Sequence, residues 1–188
     1  MKDTLREVGS ILAEVITAIV IIVLITHAAL FVFSYGVLAD EALTPDERVV
    51  ALTLLGEARG EGNGGMYAVG CVIQKRAAER NLTPAKVCLQ PYQFSVWNAG
   101  KGKVKKEREL WHLWESKSAP YARELARYLC KGYRFAQDYT GSANHYYSHK
   151  VMKQPPYWAF KIENKNGKKI KKSIKPVRVI GNHSFYKL

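Results

Sequence analysis

Two carboxylates sit four residues apart in Leu54-Leu55-Gly56-Glu57-Ala58-Arg59-Gly60-Glu61, where an apolar run meets a glycine-rich one. A carboxyl group buried among apolar side chains is disfavoured in its charged form and holds its proton toward neutral pH. Such an acid can protonate a leaving oxygen, which is what glycoside cleavage demands. Glu57 is the candidate for that task. Glu61 is the candidate second carboxylate, because on a continuing helix it would share a face with Glu57. The glycines at 60, 62, 64 and 65 argue that the helix stops first. Glu61 then reads as a structural or sugar-binding residue, paired with Arg59 or Arg76.

An acid placed this way needs a fixed helix behind it. Thr44-Pro45-Asp46-Glu47 has the composition of a helix start. Thr44 can cap, Pro45 fits the first helical position, and Glu47 completes a capping box. Val49, Val50, Leu52, Leu54 and Leu55 follow as a body apolar on more than one face, which predicts a buried helix with Glu57 in its last turn. Met66 to Arg80 reads as a second helix, with Met66, Val69, Val72 and Ile73 as its core stripe and Asn81 as its stop. Thr83-Pro84 starts a short helix through Leu89. Two more helices are predicted over 109–117 and 121–133, joined at Ser118-Ala119-Pro120. Beyond Asp138 the character changes: Val177 to Ile180 and Ser184 to Tyr186 read as strands, and Asn166-Gly167 as a hairpin turn with a lysine-rich return. The fold class expected is mainly α with a small β element, α+β.

The residues around Glu57 also carry a resemblance. Gly56-Glu57-Ala58-Arg59-Gly60-Glu61, followed by an apolar helix ending in Gln74-Lys75-Arg76, resembles the SleB/CwlJ-type cell wall hydrolases, which include spore cortex-lytic enzymes. Further matches follow in that family's order. They are Gln93-Phe94-Ser95-Val96-Trp97, Asn144-His145-Tyr146-Tyr147, Pro156-Tyr157-Trp158-Ala159 and Ile180-Gly181-Asn182-His183-Ser184-Phe185-Tyr186. Four ordered matches after the first carry far more weight than the first alone, and the resemblance spans residues 44–188.

That resemblance implies a domain similar to lysozyme and lytic transglycosylases. It implies cleavage of the β-1,4 bond between N-acetylmuramic acid and N-acetylglucosamine in peptidoglycan, with Glu57 as general acid and no cofactor. The loop Gln90–Asn98 becomes a wall of the glycan cleft, its aromatics stacking on sugars and its amides bonding hydroxyls. Glu61, Gln93, Phe94, Ser95, Asn144, Tyr146 and Tyr147 are the candidate substrate-binding residues. Two-carboxylate glycoside hydrolysis asks for a second acid across the cleft. The later acids Glu107, Glu109, Glu115, Glu124, Asp138 and Glu163 lie in no motif-like setting. A one-carboxylate route fits better, in which Glu57 donates a proton and then accepts one from the muramic acid C6 hydroxyl, leaving a 1,6-anhydro sugar. A hydrolysing muramidase stays the alternative, as does a non-catalytic wall-binding protein. A bacterial envelope enzyme and a phage endolysin both fit.

Charge narrows the partners without choosing one. The chain carries a formal net charge of +13. Residues 41–188 hold 27 basic and 12 acidic side chains, a net of +15, once Lys2, Asp3, Arg6, Glu7, Glu14 and Asp40 are set aside. Such a field favours polyanions, among them nucleic acid, anionic lipid and an acidic wall polymer. No nucleic-acid-binding motif accompanies it, so nucleic acid is not expected. Cys71, Cys88 and Cys130 are odd in number and lack metal-ligand spacing. They read as free thiols in apolar surroundings, with a Cys71–Cys88 or Cys88–Cys130 disulfide open to an exported domain. His145 and His149 are four apart but in no predicted helix, so no metal site is assigned. His183 is expected to make a structural hydrogen bond beneath the last strand.

The N-terminus supplies a route to the wall. Residues 1–14 are short and polar-mixed, and 15–37 are almost wholly apolar, interrupted by His27. About 20 such residues span a bilayer. An uncleaved transmembrane signal anchor is favoured, with the N-terminus cytoplasmic and the domain outside. A signal peptide cleaved after Val37-Leu38-Ala39 is the competing reading.

Overall fold

The computed structural model describes residues 16–27, 42–165 and 168–188. The chain divides into two units, Met1–Ala42 and Leu43–Leu188. In the first, helix α1 covers residues 16–27 with its apolar side chains exposed. Within it the Thr26 hydroxyl donates to the Val23 carbonyl at 2.9 Å, and His27 Nδ1 lies 2.7 Å from the same oxygen. No helix among the described residues is long and apolar enough to cross a membrane. The remainder of the expected span, with the candidate cleavage site before Asp40, lies outside the described residues.

The second unit is an α+β domain built on α2 (Pro45–Ala58). Its N-terminus forms the capping box read from the sequence: Thr44 Oγ1 accepts from the Glu47 amide at 3.3 Å, and the Glu47 carboxylate accepts from the Thr44 amide at 2.9 Å. The helix body is apolar on all sides, and from Val50 to Leu55 every residue is fully buried. Around it pack α3 (Gly62–Arg80), α4 (Pro84–Cys88) and α5 (Ala119–Cys130). Shortening a buried leucine such as Leu54 to alanine costs about 2–5 kcal/mol, so this helix is held firmly where its last turn emerges.

Two departures from the sequence reading have clear causes. The glycine-rich stretch does not form a loop between helices. A single 3-10 turn, Arg59–Glu61, follows α2, and α3 starts at Gly62. The glycines are needed for close packing: a Cβ on Gly64 would press on the Tyr139 hydroxyl, and one on Gly65 would overlap the Glu61 side chain. The segment Glu107–Glu115 is a 3-10 helix rather than an α-helix. Leu110 and Leu113 are its buried residues. Their three-residue spacing matches the three residues per turn of that helix. Asn81 ends α3 in the left-handed conformation, φ 51°, and Thr83 caps α4, both as expected.

The β part is in two pieces. β1 (His145–Ser148), β5 (His183–Tyr186) and β4 (Arg178–Ile180) form an antiparallel sheet in the order β1-β5-β4. Its register places Tyr146 opposite Phe185 and Ser148 opposite His183. β2 (Phe160–Lys165) and β3 (Lys168–Ser173) form a separate antiparallel hairpin. Asn166 and Gly167, the expected turn, lie outside the described residues. All three cysteines are free, and burial pushes each thiol up to about 12, which leaves them unreactive.

Candidate active site

The last turn of α2 brings Glu57 to the floor of a cleft of about 370 Å³. The loop after α4 is fixed against the same helix at two heights. One turn below Glu57, the Trp97 indole N–H donates to Thr53 Oγ1 at 2.8 Å, and Thr53 donates in turn to the Val49 carbonyl at 2.8 Å. Higher up, Val96 lies on Gly56, where any Cβ would overlap its side chain. That close approach lets the Val96 amide and the Ser95 hydroxyl both donate to Glu57 Oε1, each at 2.9 Å. From the other side β1 supplies Tyr146, whose hydroxyl donates to Oε2 at 2.9 Å.

Arg76 ties the two suppliers together. Arg76 is 5% exposed, and its guanidinium donates to the Asn144 carbonyl at 2.7 Å and to the Gln93 carbonyl at 3.3 Å. Those carbonyls begin the segments that carry Tyr146 and Ser95-Val96. Burial lowers the Arg76 pKa, and neighbouring Arg80 adds to this, while Tyr146, Cys88 and Glu57 oppose it. Burial, and then the charge of Glu57, pushes the Tyr146 phenol well above its ordinary range, so it stays a hydrogen-bond donor. His183 completes the back of the cleft, its ring edge-on to Tyr146 at 5.2 Å. Burial lowers its pKa despite the nearby carboxylates of Glu61 and Glu57. The structural hydrogen bond expected of it is not made at Nδ1, which is buried without a partner.

Of the residues read from the sequence, Glu57, Gln93, Ser95, Tyr146 and Tyr147 line the cleft together. Three do not. Phe94 is 1% exposed and packs beneath the Arg76 guanidinium. Asn144 is buried, its amide bonded to Glu79 and to the Leu188 backbone. Glu61 is paired with neither Arg59 nor Arg76. Its carboxylate accepts from the Asn182 amide and from Asn182 Nδ2, both at 2.8 Å. These bonds hold the β4–β5 turn, where Gly181 sits at φ 55° and a Cβ would strike the same carboxylate.

These bonds, chiefly the one from the Asn182 side chain, lower the Glu61 pKa. A depressed carboxylate contributes stability above its unfolded pKa and loses it as the pH falls through the folded value. Glu61→Gln is therefore expected to lower the melting temperature at neutral pH, by a margin that shrinks as the pH drops below the ordinary carboxylate range. Thermal melts of both proteins across pH check this. An unchanging margin would contradict it.

The cleft also contains Tyr92, Trp158 and Arg76, which were not among the candidates. Trp158 belongs to one of the quoted motifs, so its aromatic character was a usable signal. Tyr92 lies in the aromatic loop read as a cleft wall, and what the sequence could not show is the left-handed backbone, φ 62°, that holds its 69% exposed ring at the cleft mouth. Strain of that kind in a non-glycine residue collects at functional sites.

A family model described as Cell Wall Hydrolase matches residues 60–186. Glu57 lies just upstream of the matched stretch. No curated protein and no solved structure matches the chain.

Proposed function

The chain belongs to the cell wall hydrolase family, and on that footing we propose that it cleaves the glycan strands of peptidoglycan as a lytic transglycosylase, with Glu57 as its single acid and base. The observation that supports this most is the makeup of the cleft. Among the described residues lining it, Glu57 is the one carboxylate. Glu61, the rival, is committed to Asn182. An enzyme with a second acid to activate water would place it across the cleft from the first.

The three hydrogen bonds support one placement of the proton. Oε1 already accepts two, one of them from a backbone N–H that cannot turn away. The acidic proton therefore belongs on Oε2, where Tyr146 Oη can accept as readily as it donates. From Oε2 it passes to the glycosidic oxygen as the bond from muramic acid C1 breaks, and the N-acetylglucosamine leaves with a free C4 hydroxyl. The carboxylate so formed faces the cationic C1. It then removes the proton of the C6 hydroxyl while that oxygen bonds to C1. The product is a 1,6-anhydro end, no water is consumed, and Glu57 regains its proton.

Tyr146→Phe is expected to cut kcat about tenfold, less than the ~10²- to 10⁴-fold of a group that itself transfers the proton, with the fold retained. A kcat equal to the parent's would remove Tyr146 from the pathway. The reading as a whole is tested by incubating the full chain with purified peptidoglycan and determining the masses of released muropeptides. Anhydro ends support it. Reducing muramic acid ends mean a hydrolysing muramidase, and binding without release means a wall-binding protein. For the remainder of the chain we propose that residues 15–37 anchor it in the membrane, or direct its export, with 44–188 on the extracytoplasmic side. The apolar run and the location of the substrate support this placement.

A further inference from the structure

The β2–β3 hairpin stands apart from the sheet that carries Tyr146, and its two faces differ in charge. Cross-strand register puts Phe160, Ile162 and Asn164 on one face with Ser173, Lys171 and Lys169. The other face carries Lys161, Glu163 and Lys172, and there Glu163 takes both lysines, at 3.1 and 3.5 Å. Glu163 is the hairpin's one acid, so the first face has none. On that face lies a groove of about 550 Å³ lined by Tyr157, Trp158, Phe160, Ile162, Lys169 and Lys171. Its aromatic and aliphatic walls are open: Tyr157 is 86% and Ile162 70% exposed. Lys171 Nζ lies 4.0 Å from the Phe160 ring centroid, which steadies the ammonium without neutralising it.

The groove adjoins the cleft at Trp158. Trp158 lines both, and Tyr157 and Trp158 also line a smaller cavity of about 300 Å³ that reaches Arg76 and Tyr146. A polymer lying on Glu57 therefore has a path onto the hairpin along aromatic surface, toward two lysines that have no ion pair among the described residues.

We propose that this groove binds the peptide stem of the strand being cleaved, its lysines Lys169 and Lys171 taking the stem's carboxylates and its aromatic wall the stem's apolar side chains. The inference rests on the function proposed above. A stem is the occupant that matches the observations together: it branches from muramic acid, the sugar whose C1 must lie at Glu57, and it is anionic and partly apolar. The net +15 of residues 41–188 draws it in the same direction.

The test is calorimetric binding of the full chain, carrying Glu57→Gln so that the ligand stays intact. The ligands are soluble glycan strands bearing free stems and the same strands with stems removed. Stem-bearing strands are expected to bind about tenfold more tightly, from two charge contacts at a partly solvated rim. Lys169→Glu with Lys171→Glu should abolish that preference. Lys168→Glu with Lys172→Glu, of equal charge change on the other face, should keep it. Equal affinity for both strands, or a preference that survives the first pair of substitutions, would overturn the proposal. So would a defect confined to poly(glycerol phosphate) or to vesicles of anionic lipid, which would assign the groove to a wall polyanion or a bilayer. Failure of the parent chain to cleave, with the stem preference intact, would instead refute the function proposed above and leave the groove assignment standing.

Discussion

Glu57→Gln should abolish release of soluble material from peptidoglycan, lowering kcat about 10²- to 10⁴-fold, the usual contribution of a positioned acid or base. The amide keeps the shape of the carboxylate. Its oxygen can still accept from the Val96 amide and Ser95, and its NH₂ can donate to Tyr146 Oη in place of the present bond. Stability should therefore stay within about 1 kcal/mol of the parent, the net value of one ordinary hydrogen bond. What is lost is the proton that must reach the glycosidic oxygen and the base that must recover one. Rates of muropeptide release, measured beside thermal melts, check both halves. Residual cleavage within about tenfold of the parent would mean that the acid lies elsewhere, and Glu61 would be the next residue to change.

Gly56→Ala is the second large effect, and it acts through geometry rather than chemistry. Alanine gains about 0.8–1.0 kcal/mol over glycine in a helix interior. Here that gain is outweighed. The new Cβ would overlap Cβ and Cγ2 of Val96, and overpacking a rigid site costs about 1–3 kcal/mol or more. The loop must retreat, and the Val96 N–H and Ser95 hydroxyl leave Oε1 with it. A misplacement of about 1 Å can cost ~10²-fold in rate. The expected outcome is a modest fall in melting temperature with a kcat loss near a hundredfold. Adding Val96→Gly to Gly56→Ala clears the overlap and keeps the backbone donor, so activity should partly return. No recovery in the double variant would mean that Gly56 matters for some other reason.

Much of this arrangement was legible in the sequence because it is local. The Thr44–Glu47 capping box, the all-round apolar body of α2 and the Asn81 stop each follow from a few adjacent residues with one physical use. Glu57 at the end of that helix followed from the same pattern. What could not be read depends on contacts distant in sequence. Gly56 looks like punctuation, yet it is glycine because Val96 lies on it, 40 residues away. The glycines at 64 and 65 suggested a break and instead open α3, because Tyr139 and the Glu61 side chain press on them. Glu61 was weighed against nearby arginines, and its partner is Asn182, 121 residues on. Phe94 and Asn144 sit in motifs beside cleft residues. Side-chain direction then sends Phe94 inward beneath Arg76 and Asn144 toward Glu79 and the C-terminus. Arg76 stands near the polar end of α3 like any solvated arginine, and only the fold reveals that it holds both segments facing Glu57.

The most direct test of the one-carboxylate account is the source of the oxygen at the new muramic acid end. Peptidoglycan is digested by the full chain in heavy-oxygen water, and the fragments are weighed by mass spectrometry. An internal C6 hydroxyl attack predicts anhydro ends with no label at all. One labelled oxygen on each new muramic acid end would show that water attacks C1, and would contradict the account.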